Sequence, residues 1–76
     1  MTRTFTATIW REDADFVALC PELDVASQGG SVEEARENLK EAVELFLEAA
    51  SPAEIAGRLN TEIYITRLEV TVGEAA

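Results

Sequence analysis

The sequence contains no histidine, and this absence removes several kinds of chemistry at once. Histidine is the most common general base in enzymes, a frequent metal ligand and the usual partner of a nucleophilic serine or cysteine. Cys20 and Ser27 therefore lack the residue that most often activates such nucleophiles. We expect no catalytic residues, and we predict that the protein is not an enzyme.

Carboxylates are the remaining groups that could support catalysis, because several of them together can bind Mg²⁺. Such ligands must converge on one pocket. Here Asp13 and Asp15 fall in a tight turn, Asp24 falls in a loop, and most glutamates follow one face of a predicted helix. The sequence therefore predicts no metal site and no cofactor.

Cysteine and long apolar runs are also nearly absent. Cys20 is the only cysteine, so no intrachain disulfide can form, and its apolar neighbours predict a small buried side chain. No apolar run approaches the ~20 residues of a membrane-spanning helix, and residues 1–5 contain no apolar signal segment. We expect a cytoplasmic protein without membrane contact. Because no repeat or linker divides the chain, we predict one domain over residues 1–76.

Basic residues are scarce as well: 6 lysines and arginines accompany 15 aspartates and glutamates, for a formal net charge of -9. Residues 12–48 hold 11 of these carboxylates, with only Arg36 and Lys40 as cations. A surface this acidic repels phosphate backbones, so we expect no direct binding to nucleic acid. The carboxylates either keep the protein in solution or complement a basic protein partner.

The first third of the chain predicts antiparallel strands. Apolar and polar residues alternate over residues 4–11, which indicates a half-buried strand. A polar turn at 12–15 and an apolar run at 16–20 then predict a hairpin. A short third strand is predicted at 25–28, before two glycines at 29–30 that indicate backbone angles other residues avoid.

Two helices and a last strand are predicted in the remainder. Ser31 and Glu34 form a capping box, which predicts a long helix with an apolar stripe on the sheet and glutamates outside. Ser51 followed by Pro52 predicts a short second helix. Residues 61–72 predict a final strand whose apolar phase changes midway. Either a β-bulge restores the register, or the two ends bury opposite faces, one of them against another subunit.

The predicted order is β-β-β-α-(α)-β, where the bracketed helix is the short one. Three antiparallel strands covered by one long helix, with a last strand closing the sheet, make an α+β two-layer sandwich with a mostly antiparallel sheet. A domain of 76 residues buries only roughly 60% of the surface that its unfolded chain exposes. Self-association would bury more, so we expect a homo-oligomer, either a dimer or a tetramer.

Trp10 is the most interesting single side chain. Its position in the first predicted strand is opposite to that of Phe5 and Ile9, so it falls on the less buried face of the sheet. A tryptophan there either anchors an interface or packs beneath the terminal segment. Together with the nearby acidic loops it defines the candidate partner-binding residues, which are Trp10, Glu12, Asp13, Asp15, Glu22 and Asp24.

Three motifs follow the predicted hairpin. They are Ala18-Leu19-Cys20-Pro21-Glu22-Leu23, then Ser27-Gln28-Gly29-x-Ser31-x-x-Glu34-Ala35, and then Asn38-Leu39-x-Glu41-Ala42-Val43-Glu44. With the hairpin they lie in the segment 5–48, which in this order of motifs resembles the HicB family of bacterial and archaeal type II antitoxins. The sequence departs from the family at Ala14-Asp15, where a glycine is common before the aromatic residue, and at Asp24-Val25, where Pro-Gly is common.

The resemblance implies a partial ribonuclease-H-like fold without the acidic residues of the nuclease. It also implies a partner, because HicB-like proteins bind and silence HicA-like toxins, which are small, basic and RNA-cleaving. Family members with a C-terminal DNA-binding module repress their own operon. No such module follows residue 72 here, so we expect a short form without DNA binding. The alternative is an orphan homo-oligomeric module with no cognate toxin.

Overall fold

The structure is a computed structural model that describes residues 3–73. It contains three strands followed by two helices, and this order confirms the predicted α+β arrangement. The elements are β1 (Thr8–Glu12), β2 (Asp15–Cys20), β3 (Val25–Gly29), α1 (Val32–Ala49) and α2 (Pro52–Leu59). The strands form one antiparallel sheet in the order β1-β2-β3, so β1 and β3 are its edges.

The β1–β2 hairpin closes through a two-residue turn. Glu12 pairs with Asp15, and of the two turn residues only Asp13 has a positive φ, of 53°. Asp24, which precedes β3, has a similar φ of 55°. Aspartate tolerates this left-handed conformation better than most residues because its short side chain can hydrogen-bond locally.

The first strand is shorter than predicted. It begins at Thr8, and residues 3–7 belong to no strand. The reason lies in the partner strand, where β2 ends at Cys20 and is followed by Pro21, which has no N–H to donate to a ladder. The backbone N–H of Thr6 donates instead to the Glu22 carboxylate.

Alternation along the strands places one face of the sheet under α1. Ala18 and Cys20 of β2 lie on this face and are completely or almost completely buried. The apolar stripe of α1 covers them, as its spacing predicts. The buried core consists of Ala18, Cys20, Leu23, Ala35, Leu39 and Val43.

The start of α1 is capped as predicted, with one difference. The Ser31 hydroxyl accepts a hydrogen bond from the Glu34 N–H at 3.1 Å. The Glu34 carboxylate, however, accepts from the N–H of Gly30 at 3.0 Å and not from that of Ser31. The Glu34 side chain therefore holds the loop before α1 at Gly30, one residue before the N-cap Ser31.

The prediction that the glycine pair supplies unusual backbone angles is wrong. Neither Gly29 nor Gly30 has a positive φ. A Cβ on Gly29 would lie 2.6 Å from the Ala35 nitrogen and 2.8 Å from the Glu34 carbonyl carbon. Gly29 is therefore needed because the end of β3 approaches the first turn of α1 too closely for a side chain.

Helix α2 is attached to the rest of the fold mainly by Arg58. The Arg58 guanidinium donates a hydrogen bond to the Leu23 carbonyl, and its Cζ lies 4.7 Å from the ring centroid of Phe46. Leu59 packs at the edge of the core. No residue of α2 is fully buried, so this helix is held at its C-terminal end.

The predicted final strand is absent from the described part of the chain. Residues 62–73 have no regular secondary structure, and the sheet has three strands instead of four. A strand exists only when a neighbour pairs with it, and within residues 3–73 neither sheet edge meets this segment. Its apolar side chains are exposed, so neither the bulge nor the burial of opposite faces is realised in a single chain.

Candidate functional site

The face of the sheet opposite α1 is the first candidate surface, and we call it the open face. Trp10 pairs with Val17, which pairs with Gln28, and this row points away from the helix. The open face consists of Thr8, Trp10, Glu12, Asp15, Val17, Leu19, Ala26 and Gln28. Its middle is apolar, and Glu12 and Asp15 lie at the end where the hairpin turns.

Trp10 is on the exposed side of the sheet, as its parity predicts. Its side chain is 39% exposed. The indole N–H donates to a carboxylate oxygen of Glu12 at 3.4 Å, a long hydrogen bond between two exposed groups. Trp10 therefore offers a large aromatic surface that its own chain covers only in part.

The six predicted site residues do not form one cluster. Glu12, Asp13 and Asp15 surround the β1–β2 turn, whereas Glu22 and Asp24 lie in the loop between β2 and β3. These loops are at opposite ends of β2, which has 6 residues and is about 20 Å long at ~3.4 Å per residue. Trp10 belongs with the first group, and we call Trp10, Glu12, Asp13 and Asp15 the turn-end group.

Glu22 has a structural role. One of its carboxylate oxygens accepts hydrogen bonds from the N–H and the hydroxyl of Thr6, at 2.9 and 2.7 Å. The other lies 3.6 Å from the thiol of Cys20. Burial alone would raise the pKa of Glu22, but the hydrogen bonds from Thr6, the backbone and Cys20 outweigh it and lower the pKa. Glu22 thus fastens residues 3–7 to the end of β2.

Asp13 and Asp24 are exposed, and both have left-handed backbone angles. Their identity is thus explained in part by the turns that they form. Asp13 still adds a charge beside Glu12 and Asp15, whereas Asp24 lies at the far end of the sheet. Asp24 and Glu22 are therefore separated from the surface around Trp10.

Cys20 is buried, as predicted, with 1% of its surface exposed. Burial raises the pKa of its thiol, and the neighbouring Glu22 carboxylate raises it further, against backbone hydrogen bonds that lower it. The thiol is therefore protonated and unreactive at neutral pH. Within residues 3–73, no group of three or more acidic or cysteine side chains is arranged to hold a metal ion.

A groove that the sequence did not reveal lies between residues 3–7 and one flank of α1. It has a volume of about 540 Å³. Phe5 and Ala7 line one wall, and Leu39, Val43 and Leu47 are on the other, with Arg36 and Lys40 also contributing. In the sequence, the signal for this groove is the alternation of Phe5, Ala7 and Ile9. It continues an apolar face on the N-terminal side of Thr8, the first paired residue of β1.

A second acidic surface runs along the outer side of α1. Its exposed glutamates are Glu33, Glu37, Glu41, Glu44 and Glu48. Of the basic side chains nearby, Arg36 is 3.3 Å from Glu37. Leu45 interrupts this surface and is 58% exposed.

Comparisons with protein-family models, with curated proteins and with solved structures found no match to this chain. In the part of the chain that the structure describes, no helix has the length and apolar character needed to cross a bilayer.

Proposed function

We propose that this chain is a HicB-like antitoxin-type protein, which binds and inhibits a small basic RNA-cleaving protein through direct contact. The observation that supports the proposal best is the turn-end group, where a partly exposed Trp10 donates a hydrogen bond to Glu12 at the end of the sheet that also carries Asp13 and Asp15. We place this complex in the cytoplasm. Three antiparallel strands followed by a long helix are compatible with the HicB resemblance, although the last predicted strand is not formed, and the partial ribonuclease-H-like fold is part of the same proposal.

The composition of the turn-end group suits a protein interface. Stable interfaces combine a buried apolar centre with a polar rim, and tryptophan is among the residues whose truncation costs most binding energy. On the open face, Trp10, Val17 and Leu19 supply the apolar centre, and the hairpin carboxylates supply the rim. A partner that covered Trp10 would therefore meet the acidic turn as well.

Charge determines which kind of partner fits. With a formal net charge of -9, the chain attracts basic proteins over long distances and repels RNA. An RNA-cleaving protein needs a basic surface to hold its substrate. Carboxylates at that surface would compete with the phosphates, so inhibition requires no chemistry from this chain.

The second candidate is an orphan homo-oligomeric module without a cognate toxin. It is favoured by the exposed apolar side chains of residues 62–73, among them Leu68 and Val70 at 78% and 68% exposure. These side chains lie outside the open face. The two candidates therefore use different surfaces and can be tested separately.

The test uses the product of the gene adjacent to that of this protein. We expect it to bind the wild-type chain and to lose its RNA-cleaving activity at one chain per toxin. Trp10→Ala should weaken the binding at least tenfold, because hot-spot tryptophans contribute more than about 2 kcal/mol. The matched control is Leu45→Ala, which truncates an exposed apolar side chain on the far side of α1.

Two results would contradict the proposal. One is RNA cleavage that continues in the presence of excess wild-type chain. The other is an equal loss of binding in Trp10→Ala and Leu45→Ala, because the partner would then not bind specifically at the surface around Trp10.

A further inference from the structure

Residues 62–73 form an exposed segment with the sequence pattern of a strand. From residue 67 to 72 polar and apolar residues alternate, with Leu68, Val70 and Val72 in one phase and Arg67 and Thr71 in the other. The three apolar side chains are 78%, 68% and 68% exposed. Such alternation predicts a strand with one buried face, but a single chain buries neither face.

The dimensions of the molecule agree with a segment that leaves the body of the fold. Its radius of gyration is 15.4 Å, whereas a compact domain of this length has about 11 Å. Its longest extent is 51 Å. The longest element, α1, has 18 residues and accounts for only about 27 Å. The remaining length comes from chain outside the packed elements.

The same chain contains a matching acceptor. Among residues 3–73, β1 is an edge strand, so along the side away from β2 its backbone N–H and C=O groups have no strand partner there. Helix α1 packs mostly on β3 and least on β1. The groove between residues 3–7 and α1 lies at the Thr8 end of β1, where the chain enters the strand, and its walls include Ala7, Leu39 and Val43.

We propose that residues 67–72 of one copy add as a fourth strand along the free edge of β1, and of the residues directly before it, in a second copy. Leu68, Val70 and Val72 then cover the groove, and Arg67, Glu69 and Thr71 face the solvent. When both copies do this, the exchange closes a two-fold symmetric dimer. The inference does not rest on the proposed function, because the open face stays free.

A second copy fits better than the groove of the same chain. In the single chain residues 62–73 are exposed throughout and extend from the body of the fold. No residue of 62–73 lines the groove. A second copy also fits better than an unrelated protein, because strand and acceptor occur in every chain at equal concentration.

Light scattering on the purified full chain is the first measurement. We expect a mass of about twice the 8.3 kDa of one chain. Val70→Asp should give the single-chain mass, because it would bury a charge in the groove. The matched control Thr71→Asp introduces the same charge in the opposite phase and should keep the dimer.

The acceptor is tested from its own side. Ala7→Arg fills the groove from an exposed position and should also give a single-chain mass, whereas Thr8→Arg, on the opposite face, should not. Circular dichroism confirms that each variant is folded. If Ala7→Arg is not, Lys40→Trp on the other wall of the groove replaces it.

Mixing the two single-chain variants distinguishes exchange between copies from other arrangements. Ala7→Arg has an intact segment and Val70→Asp has an intact groove, so together they should form a mixed dimer through one exchanged strand. A wild-type chain of single-chain mass, a Val70→Asp variant of wild-type mass, or a mixture that stays monomeric would each overturn the proposal.

Discussion

At the scale of single residues, Glu22 shows how an apparent binding residue becomes a structural one. Its place in a predicted loop made it a candidate for partner contact, together with Asp24. In the structure its carboxylate accepts two hydrogen bonds from Thr6, and the lowered pKa follows from those bonds. The sequence does not reveal this, because Thr6 and Glu22 are 16 residues apart and only the hairpin brings them together.

Glu22→Gln tests this role through the dependence of stability on pH. The pKa of Glu22 in the folded chain lies below its ordinary value of 4.5, so the carboxylate stabilises the fold above about pH 4.5. That stabilisation is lost as the pH falls through the folded pKa. We expect the variant to unfold about 1 kcal/mol more easily than wild type at pH 7, measured with urea, because a partly exposed charged hydrogen bond is lost.

The difference between Glu22→Gln and wild type should shrink as the pH falls below 4.5. Glu41→Gln, which neutralises an exposed glutamate on α1, is the control and should change stability little at any pH. If the loss of unfolding free energy in Glu22→Gln stays the same at low pH, it comes from the shape of the side chain and not from its charge. That result would contradict the role of the charged hydrogen bonds.

At the scale of elements, local signals predicted what is local. Ser31 and Ser51 accept the hydrogen bonds from Glu34 and Glu54 that their positions predict, and both helices begin where expected. The hairpin also follows from alternation around a short polar turn. The prediction of a last strand at 61–72 failed, although these residues show a strand pattern. A strand must pair with a neighbour, and alternation in the sequence does not identify that neighbour.

The candidate site was predicted less well than the fold. Acidic residues were grouped by their closeness in sequence, although an antiparallel β2 separates the loop at 12–15 from the loop at 21–24 by its full length. Trp10 was assigned correctly, because its parity relative to Ile9 decides its face. The groove was missed, since it depends on how residues 3–7 lie relative to α1.

The contact between β3 and α1 can be tested at Gly29. Gly29→Ala should destabilise the chain by about 1–3 kcal/mol in urea unfolding, because its Cβ would lie 2.6 Å from the Ala35 nitrogen. Gly57→Ala is the matched control: nothing lies within 4 Å of its Cβ, and it is inside α2. There alanine should stabilise by about 0.5–1 kcal/mol. Equal effects of both changes would contradict the close approach.

At the scale of the whole molecule, the two proposals assign different tasks to different surfaces. The open face and its acidic turn are proposed to bind a basic partner, and the exposed segment with the groove is proposed to join two copies. Both account for apolar area that a small chain leaves uncovered. A dimer would present two turn-end groups, so it would bind two partners without using its own interface.

The most direct measurement of the central claim uses Trp10, which is the only tryptophan of the chain. The protein is labelled with 5-fluorotryptophan, so that its fluorine spectrum reports on Trp10 alone, and the product of the adjacent gene is added while RNA cleavage is followed. We predict that the resonance shifts and that cleavage stops at the same ratio of the two proteins. A resonance that stays unchanged while cleavage continues would contradict the claim that the surface around Trp10 binds and inhibits this partner.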